Sequence, residues 1–242
     1  MAVESSAQVA VVTGGSRGIG RAVVEALLGR GWRVFLCSQH PESTARALEE
    51  LAATAPGRVA GRAVDVRRQE EVDGFVAWVL AEAGRIDLLV NNAGQGTFGA
   101  VDALSGDDFR AVVETNLCGP FYFLRAVAPA MRRQGSGWIV NVASLAGKNA
   151  MAGGAAYNAS KFGLVGLSEA AMLDLRQDGV RVAAILPGSV STDFSHPDGR
   201  QAGRDWRLAP EDVAEAVVGL LAYPPRALPS LIELRPSHPP RK

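Results

Sequence analysis

Within AYNASKFG, residues 156–163, a tyrosine and a lysine stand four positions apart among small and apolar side chains. On a helix that spacing puts Tyr157 and Lys161 on one face. A free phenol is ionised at about one part in a thousand at neutral pH, so Tyr157 exchanges protons poorly unless a cation stabilises its phenolate. Lys161 is positioned to be that cation, and lowering the phenol by ~2–3 pH units corresponds to roughly 3–4 kcal/mol of differential stabilisation. Near the N-terminus, TGGSRGIG spaces Gly14, Gly18 and Gly20 as G-x3-G-x-G between an apolar run and a helical pattern. Glycines there permit a tight turn and close backbone approach, and a helix N-terminus offers unpaired N–H groups to a pyrophosphate. The chemistry indicated is proton transfer beside a bound dinucleotide.

These groups need a scaffold, and the rest of the chain supplies one. Short apolar or β-branched runs recur at 8–14, 33–39, 58–66, 86–94, 137–144, 180–188 and 230–234. Between them, apolar residues repeat at three- and four-residue spacing, as in IGRAVVEALLGRG, where Gly31 reads as a helix stop. Nearly continuous apolar strands alternating with helices require a parallel sheet covered on both faces. The expected fold is therefore α/β: one Rossmann-type domain over residues 1–242, with a doubly wound, seven-stranded parallel sheet. No repeat or linker divides it. The segment 191–209, STDFSHPDGRQAGRDWRLA, is polar and aperiodic and follows the sixth strand, so it reads as a substrate lid.

Composition removes several function classes. The 25 basic and 25 acidic residues cancel, which gives no field for nucleic acid or an anionic membrane surface. Cys37 and Cys118 sit apart in apolar contexts and read as reduced core thiols, and His40, His196 and His238 lack ligand spacing, so no metal is expected. The N-terminus MAVESSAQ carries Glu4 and lacks the basic and apolar regions of a signal peptide. With no apolar run long enough to span a bilayer, the expectation is a cytoplasmic protein.

Five motifs in order carry a family likeness: TGGSRGIG; Asn91, Asn92, Ala93 and Gly94 after the fourth strand; Asn116 in the next helix; Ser144, Tyr157 and Lys161 as S-x12-Y-x3-K; and Pro187 and Gly188 after the sixth strand. The chain resembles the short-chain dehydrogenase/reductase family over nearly its whole length. The likeness implies that Tyr157 gives a proton to a carbonyl oxygen as hydride arrives from a nicotinamide cofactor. It further implies that Ser144 orients that oxygen, that Lys161 also holds the ribose hydroxyls, and that Asn116 anchors a water that resupplies the proton.

Cofactor positions follow from the same likeness. The glycine loop contributes Gly14, Ser16, Arg17, Gly18, Ile19 and Gly20. Asp65 and Val66 after the third strand would meet the adenine, although Asp65 is also a candidate helix cap. Asn92, Ala93 and Gly94 would border ribose and diphosphate, although Asn92 equally suits a purely structural role; Pro187, Gly188, Val190 and Thr192 complete the set. The second strand ends in Cys37, Ser38, Gln39 without the carboxylate that reads an unphosphorylated adenosine ribose, and Arg17 adds positive charge, which favours NADP(H) over NAD(H).

Partners are implied in outline. The helical patterns at 107–132 and 156–177 are apolar on more than one face and need covering; in the resembled family such helices pair in a homodimer or homotetramer. Within that family the chain resembles the bacterial 3-oxoacyl carrier-protein reductases, through GGAAYNASK and PEDVAEAV. Pro129 and Leu173 stand where carrier-binding members often have arginine, and ELRPSHPPRK replaces a Gly-rich ending. The expected activity is reduction of a ketone or oxidation of a secondary alcohol, with a 3-oxoacyl thioester as one candidate. A catalytically silent NADP-binding regulator or scaffold is the alternative.

Overall fold

The structure, a computed structural model, describes residues 7–192 and 206–240. Seven strands form one sheet in the order β3-β2-β1-β4-β5-β6-β7: β1 Val9–Thr13, β2 Arg33–Ser38, β3 Val59–Ala63, β4 Leu88–Asn91, β5 Gly137–Val142, β6 Val180–Pro187 and β7 Leu231–Leu234. Every pairing is parallel. Each expected run therefore contains a strand, shorter than the run by one or more residues at its ends.

Alternation along β1 divides the core. Ala10 and Val12 face one side with helices α1 (Gly18–Gly29), α2 (Pro41–Thr54) and α7 (Pro210–Leu221). Val9 and Val11 face the other, against α3 (Gln69–Ala83), α5 (Gly119–Gln134) and α6 (Ala155–Leu175). A short α4 (Gly106–Val113) runs into a π-helical turn, Glu114–Cys118, before α5. Gly31 adopts φ +86, a left-handed conformation that ends α1.

The sheet order reverses between β1 and β4, whose C-terminal ends diverge toward helices on opposite faces. Ligand crevices of doubly wound sheets lie at that point. One long buried contact fixes this junction from below: the Val9 amide donates to Asp87 Oδ2 at 2.9 Å, and Arg85 holds the same carboxylate.

Of the expected lid at 191–209, residues 193–205 lie outside the described residues. Its two ends are joined: the Ser191 amide donates to the Leu208 carbonyl at 2.8 Å, and the Leu208 amide to the Ser189 carbonyl at 3.0 Å. Among the described residues no helix is long and apolar enough to cross a membrane.

Candidate active site

A cleft of about 1040 Å³ opens over the C-terminal ends of the strands. Its floor at one end is the glycine loop. The Gly14 amide donates to the Cys37 carbonyl at 2.8 Å, folding the loop back over β2. Gly14 takes φ +67, and a Cβ on Gly20 would stand 2.2 Å from the Gly14 carbonyl oxygen. The loop closes on itself only with glycine at 20. The first turn of α1 has no side-chain cap and no acidic residue, so its N–H groups remain available to an anion.

Thr13 and Asn92 lock this loop to β4. Thr13 Oγ1 accepts from the amides of Asn92 and Ala93, both at 3.0 Å. The Asn92 side-chain amide donates to the Thr13 and Gly14 carbonyls at 3.0 and 3.3 Å. Of the two roles open to Asn92, its side chain performs the structural one, although the residue also borders the cleft.

At the opposite end, β5 leads into Ser144, whose Oγ accepts from the Ala146 amide at 3.1 Å and caps the short turn Leu145–Gly147. Ser144 also hydrogen-bonds the Tyr157 phenol. One helical turn later Lys161 is buried, and its Nζ donates to the Val142 carbonyl at 2.9 Å while standing 5.8 Å from the Tyr157 ring centre. Asn158 ties the segment after Ser144 to α6, donating to the Ala146 carbonyl at 2.6 Å and to that of Asn149 at 3.1 Å. The Phe98 ring packs on Tyr157 at 5.5 Å between centres.

The electrostatics differ from the sequence expectation. Burial raises the Tyr157 phenol above its ordinary value, with the Ser144 hydrogen bond opposing it. Burial also draws Lys161 down to about 8. Desolvation outweighs the mutual stabilisation inferred from spacing alone, because both side chains lose water while the ammonium points at a backbone carbonyl.

Asn116, the residue expected to anchor a water, does not line the cleft. It is fully buried in the π-helical turn: its Oδ1 accepts from the Gln95 amide at 2.9 Å, and its Nδ2 donates to the Gln95 carbonyl at 2.8 Å and to Ser160 Oγ at 3.0 Å. Its amide is spent clamping the segment after β4. The Asp65 carboxylate borders the cleft but accepts from the Arg67 amide and guanidinium at 2.5–3.0 Å, which holds it below the usual carboxylate range. It does not cap α3, which begins at Gln69; Glu71 reaches back to the Asp65 amide instead.

Ser16, Arg17, Gly18, Ile19 and Ser38 border the end at the glycine loop, and Val66, Ala93 and Gly94 the middle. Pro187, Gly188, Val190 and Thr192 border the far wall. Gly20 and Asn116 stand behind the lining. The Ser38 hydroxyl is turned inward and shared with Thr44. Sequence reasoning overlooked Thr13, Gln95, Asn158 and the α2 rim at Ser43 and Arg46; only the last left a trace, as a polar helix start directly after β2.

A family profile described as short chain dehydrogenase matches residues 8–203. A 3-oxoacyl-[acyl-carrier-protein] reductase of Synechocystis sp. is 37% identical over 191 residues, covering 78% of this chain and 77% of its own. Among solved structures, a metagenomic short-chain oxidoreductase in complex with NADP is 38% identical with a TM-score of 0.84, covering 98% of this chain and 100% of its own. An alcohol dehydrogenase from the archaeon Thermococcus sibiricus complexed with 5-hydroxy-NADP is 29% identical with a TM-score of 0.88, covering 97% and 99%.

Proposed function

This chain belongs to the short-chain dehydrogenase family and is an oxidoreductase, and from that premise we propose that it is an NADP(H)-dependent reductase of ketones, acting in reverse on secondary alcohols. The observation that carries the reading is the convergence of Ser144, Tyr157 and Lys161 at one end of a single cleft whose other end is the uncapped glycine loop. The cleft fits a dinucleotide: Gly14 and Gly20 permit close approach of a diphosphate, and no carboxylate stands at the end of β2 to repel a 2′-phosphate. When bound, the nicotinamide supplies the hydride.

The protein's own part is proton delivery and orientation. Tyr157, held protonated at neutral pH by burial, gives its proton to the carbonyl oxygen as that oxygen gains negative charge. Ser144 fixes the same oxygen by hydrogen bonding. Lys161 holds the ribose hydroxyls and offsets the charge left on the phenolate. Asn116, through its clamp on Gln95, keeps the segment after β4 in register with this trio. The exposed Phe98 and Met151, on loops joined by the Gly99 to Gly153 hydrogen bond, favour a ketone with an apolar substituent, and 191–209 acts as the lid. The exposed Phe109, Phe121, Phe162 and Leu173 on α4–α6 suit cover by a second copy, in a dimer or tetramer; a monomeric mass in sedimentation would remove that assignment.

A panel of ketones and acyl thioesters, run with NADPH and NADH in parallel, tests the proposal. Consumption of NADPH on at least one apolar ketone is the expected result. Binding without turnover on every compound would leave the silent regulator or scaffold.

Lys161 gives a second expectation. In the free protein its ammonium is populated below about pH 8 and its neutral amine above, so NADPH affinity should fall as pH rises through about 8. Fluorescence titration across pH 6.5–9.5, a range chosen to span the ordinary lysine and shifted values, reads this directly. The dependence should flatten in Lys161→Met; an identical slope in that variant would refute the assignment.

A further inference from the structure

The adenosine end of the cleft carries a cation outside the expected site positions. Helix α2 starts at Pro41 directly after β2, and its first turns place Glu42, Ser43 and Arg46 on the cleft rim beside Gln39 and His40. Three residues apart, Ser43 and Arg46 share a helix face. Arg46 is exposed and, among the described residues, makes no ion pair or hydrogen bond.

Neighbouring groups are already engaged. Arg21 of α1 pairs with Glu25 at 2.7 Å and with Glu50 of α2 at 3.0 Å, so the acid of α2 nearest α1 is neutralised. Arg67 is closed on Asp65. The Ser38 hydroxyl is shared with Thr44 and turned into the protein. The strand end that ordinarily reads the ribose thus has Gln39 alone to offer, and the unpaired guanidinium stands in the first turns of the helix that follows.

We propose that Arg46 recognises the 2′-phosphate of the cofactor's adenosine ribose and sets the preference for NADPH over NADH; the Ser43 hydroxyl beside it is engaged, donating to the His40 carbonyl at 3.0 Å. The assignment rests on the reading of the cleft as a nicotinamide dinucleotide site. A planar guanidinium makes paired, charge-assisted hydrogen bonds to phosphate, whereas a neutral 2′-hydroxyl gains little from it. Glu42, one turn before Arg46 and also on the rim, opposes a phosphate there. Arg46 and Glu42 therefore act in opposite senses on one ligand group.

The test is fluorescence titration of NADPH and NADH, and calorimetric titration of 2′,5′-ADP against 5′-AMP, on the wild type, Arg46→Ala, Arg46→Lys and Glu42→Gln. Arg46→Ala should weaken NADPH and 2′,5′-ADP about tenfold and move NADH and 5′-AMP by less than about twofold. Arg46→Lys should restore part of the loss, and Glu42→Gln should tighten NADPH two- to threefold, roughly the worth of one exposed charge. If the wild type prefers NADPH and Arg46→Ala keeps the same NADPH to NADH ratio, the role of Arg46 is overturned while the cofactor reading stands. A wild type that binds both nucleotides equally overturns the preference and the Arg46 assignment together. A wild type that binds neither overturns the site reading itself.

Discussion

Replacing Tyr157 by phenylalanine is expected to lower kcat for the proposed ketone reduction by about 10³-fold and to leave NADPH binding within about twofold of the wild type. The factor is the middle of the range for loss of a positioned general acid, ~10²–10⁴, and equals roughly 4 kcal/mol of barrier. Phenylalanine keeps the ring that packs on Phe98, and Lys161 keeps its bond to the Val142 carbonyl, so the fold and the proposed ribose contact should survive. Only the hydroxyl that meets Ser144 is lost. Steady-state kinetics with the best ketone of the panel, alongside fluorescence titration of the cofactor, make the measurement. Undiminished turnover in Tyr157→Phe would show that the proton comes from elsewhere.

Gly20→Ala is expected to have the next largest effect, and by a different route. The added methyl would lie 2.2 Å from the Gly14 carbonyl oxygen and 2.5 Å from Asn92 Nδ2, both parts of the lock between β1 and β4. Backbone cannot retreat there without breaking the Asn92 bonds, so overpacking should cost about 1–3 kcal/mol. For a chain of this size that lowers Tm by roughly 2–12 °C. Displacing the loop also misdirects the first-turn N–H groups of α1, and NADPH affinity should fall at least about tenfold. Gly18→Ala is the contrasting case: its methyl meets only Thr192 at 3.4 Å, and its cost is the left-handed strain of φ +55, on the order of 1–2 kcal/mol. Differential scanning fluorimetry reads the Tm shift of each variant. Equal Tm values for Gly20→Ala and wild type would mean that the loop is looser than its contacts imply.

The sheet was legible in the sequence because its signal is local. Runs such as RVFLCSQ and VRVAAILPG are apolar on successive positions, which only a strand covered on both faces tolerates. The motif residues were equally legible, since Tyr157 and Lys161 need only helical spacing to meet. What escaped depends on surroundings that spacing does not encode. Desolvation of Tyr157 and Lys161 comes from β5, the Ser144 turn and α6 together, so its size is invisible in AYNASKFG. The turn at Glu114–Cys118 takes π-helical bonding within a sequence that reads as continuous helix, and Asn116 is buried there. In the sequence nothing distinguishes Arg46 from other helix charges; its place follows only from α2 starting at the cleft.

The strand order has a consequence for how the chain reaches this state. Every strand pairing is parallel, so none can form as a local hairpin, and each waits for a crossover. β1 gains its second neighbour only when β4 arrives, as the Val9 to Asp87 bond across 78 residues records. Until then the apolar edge of β1 is open to any other strand, including one from another nascent chain. Refolding from denaturant should therefore be slow and should compete with aggregation, with yields that rise as the chain is diluted.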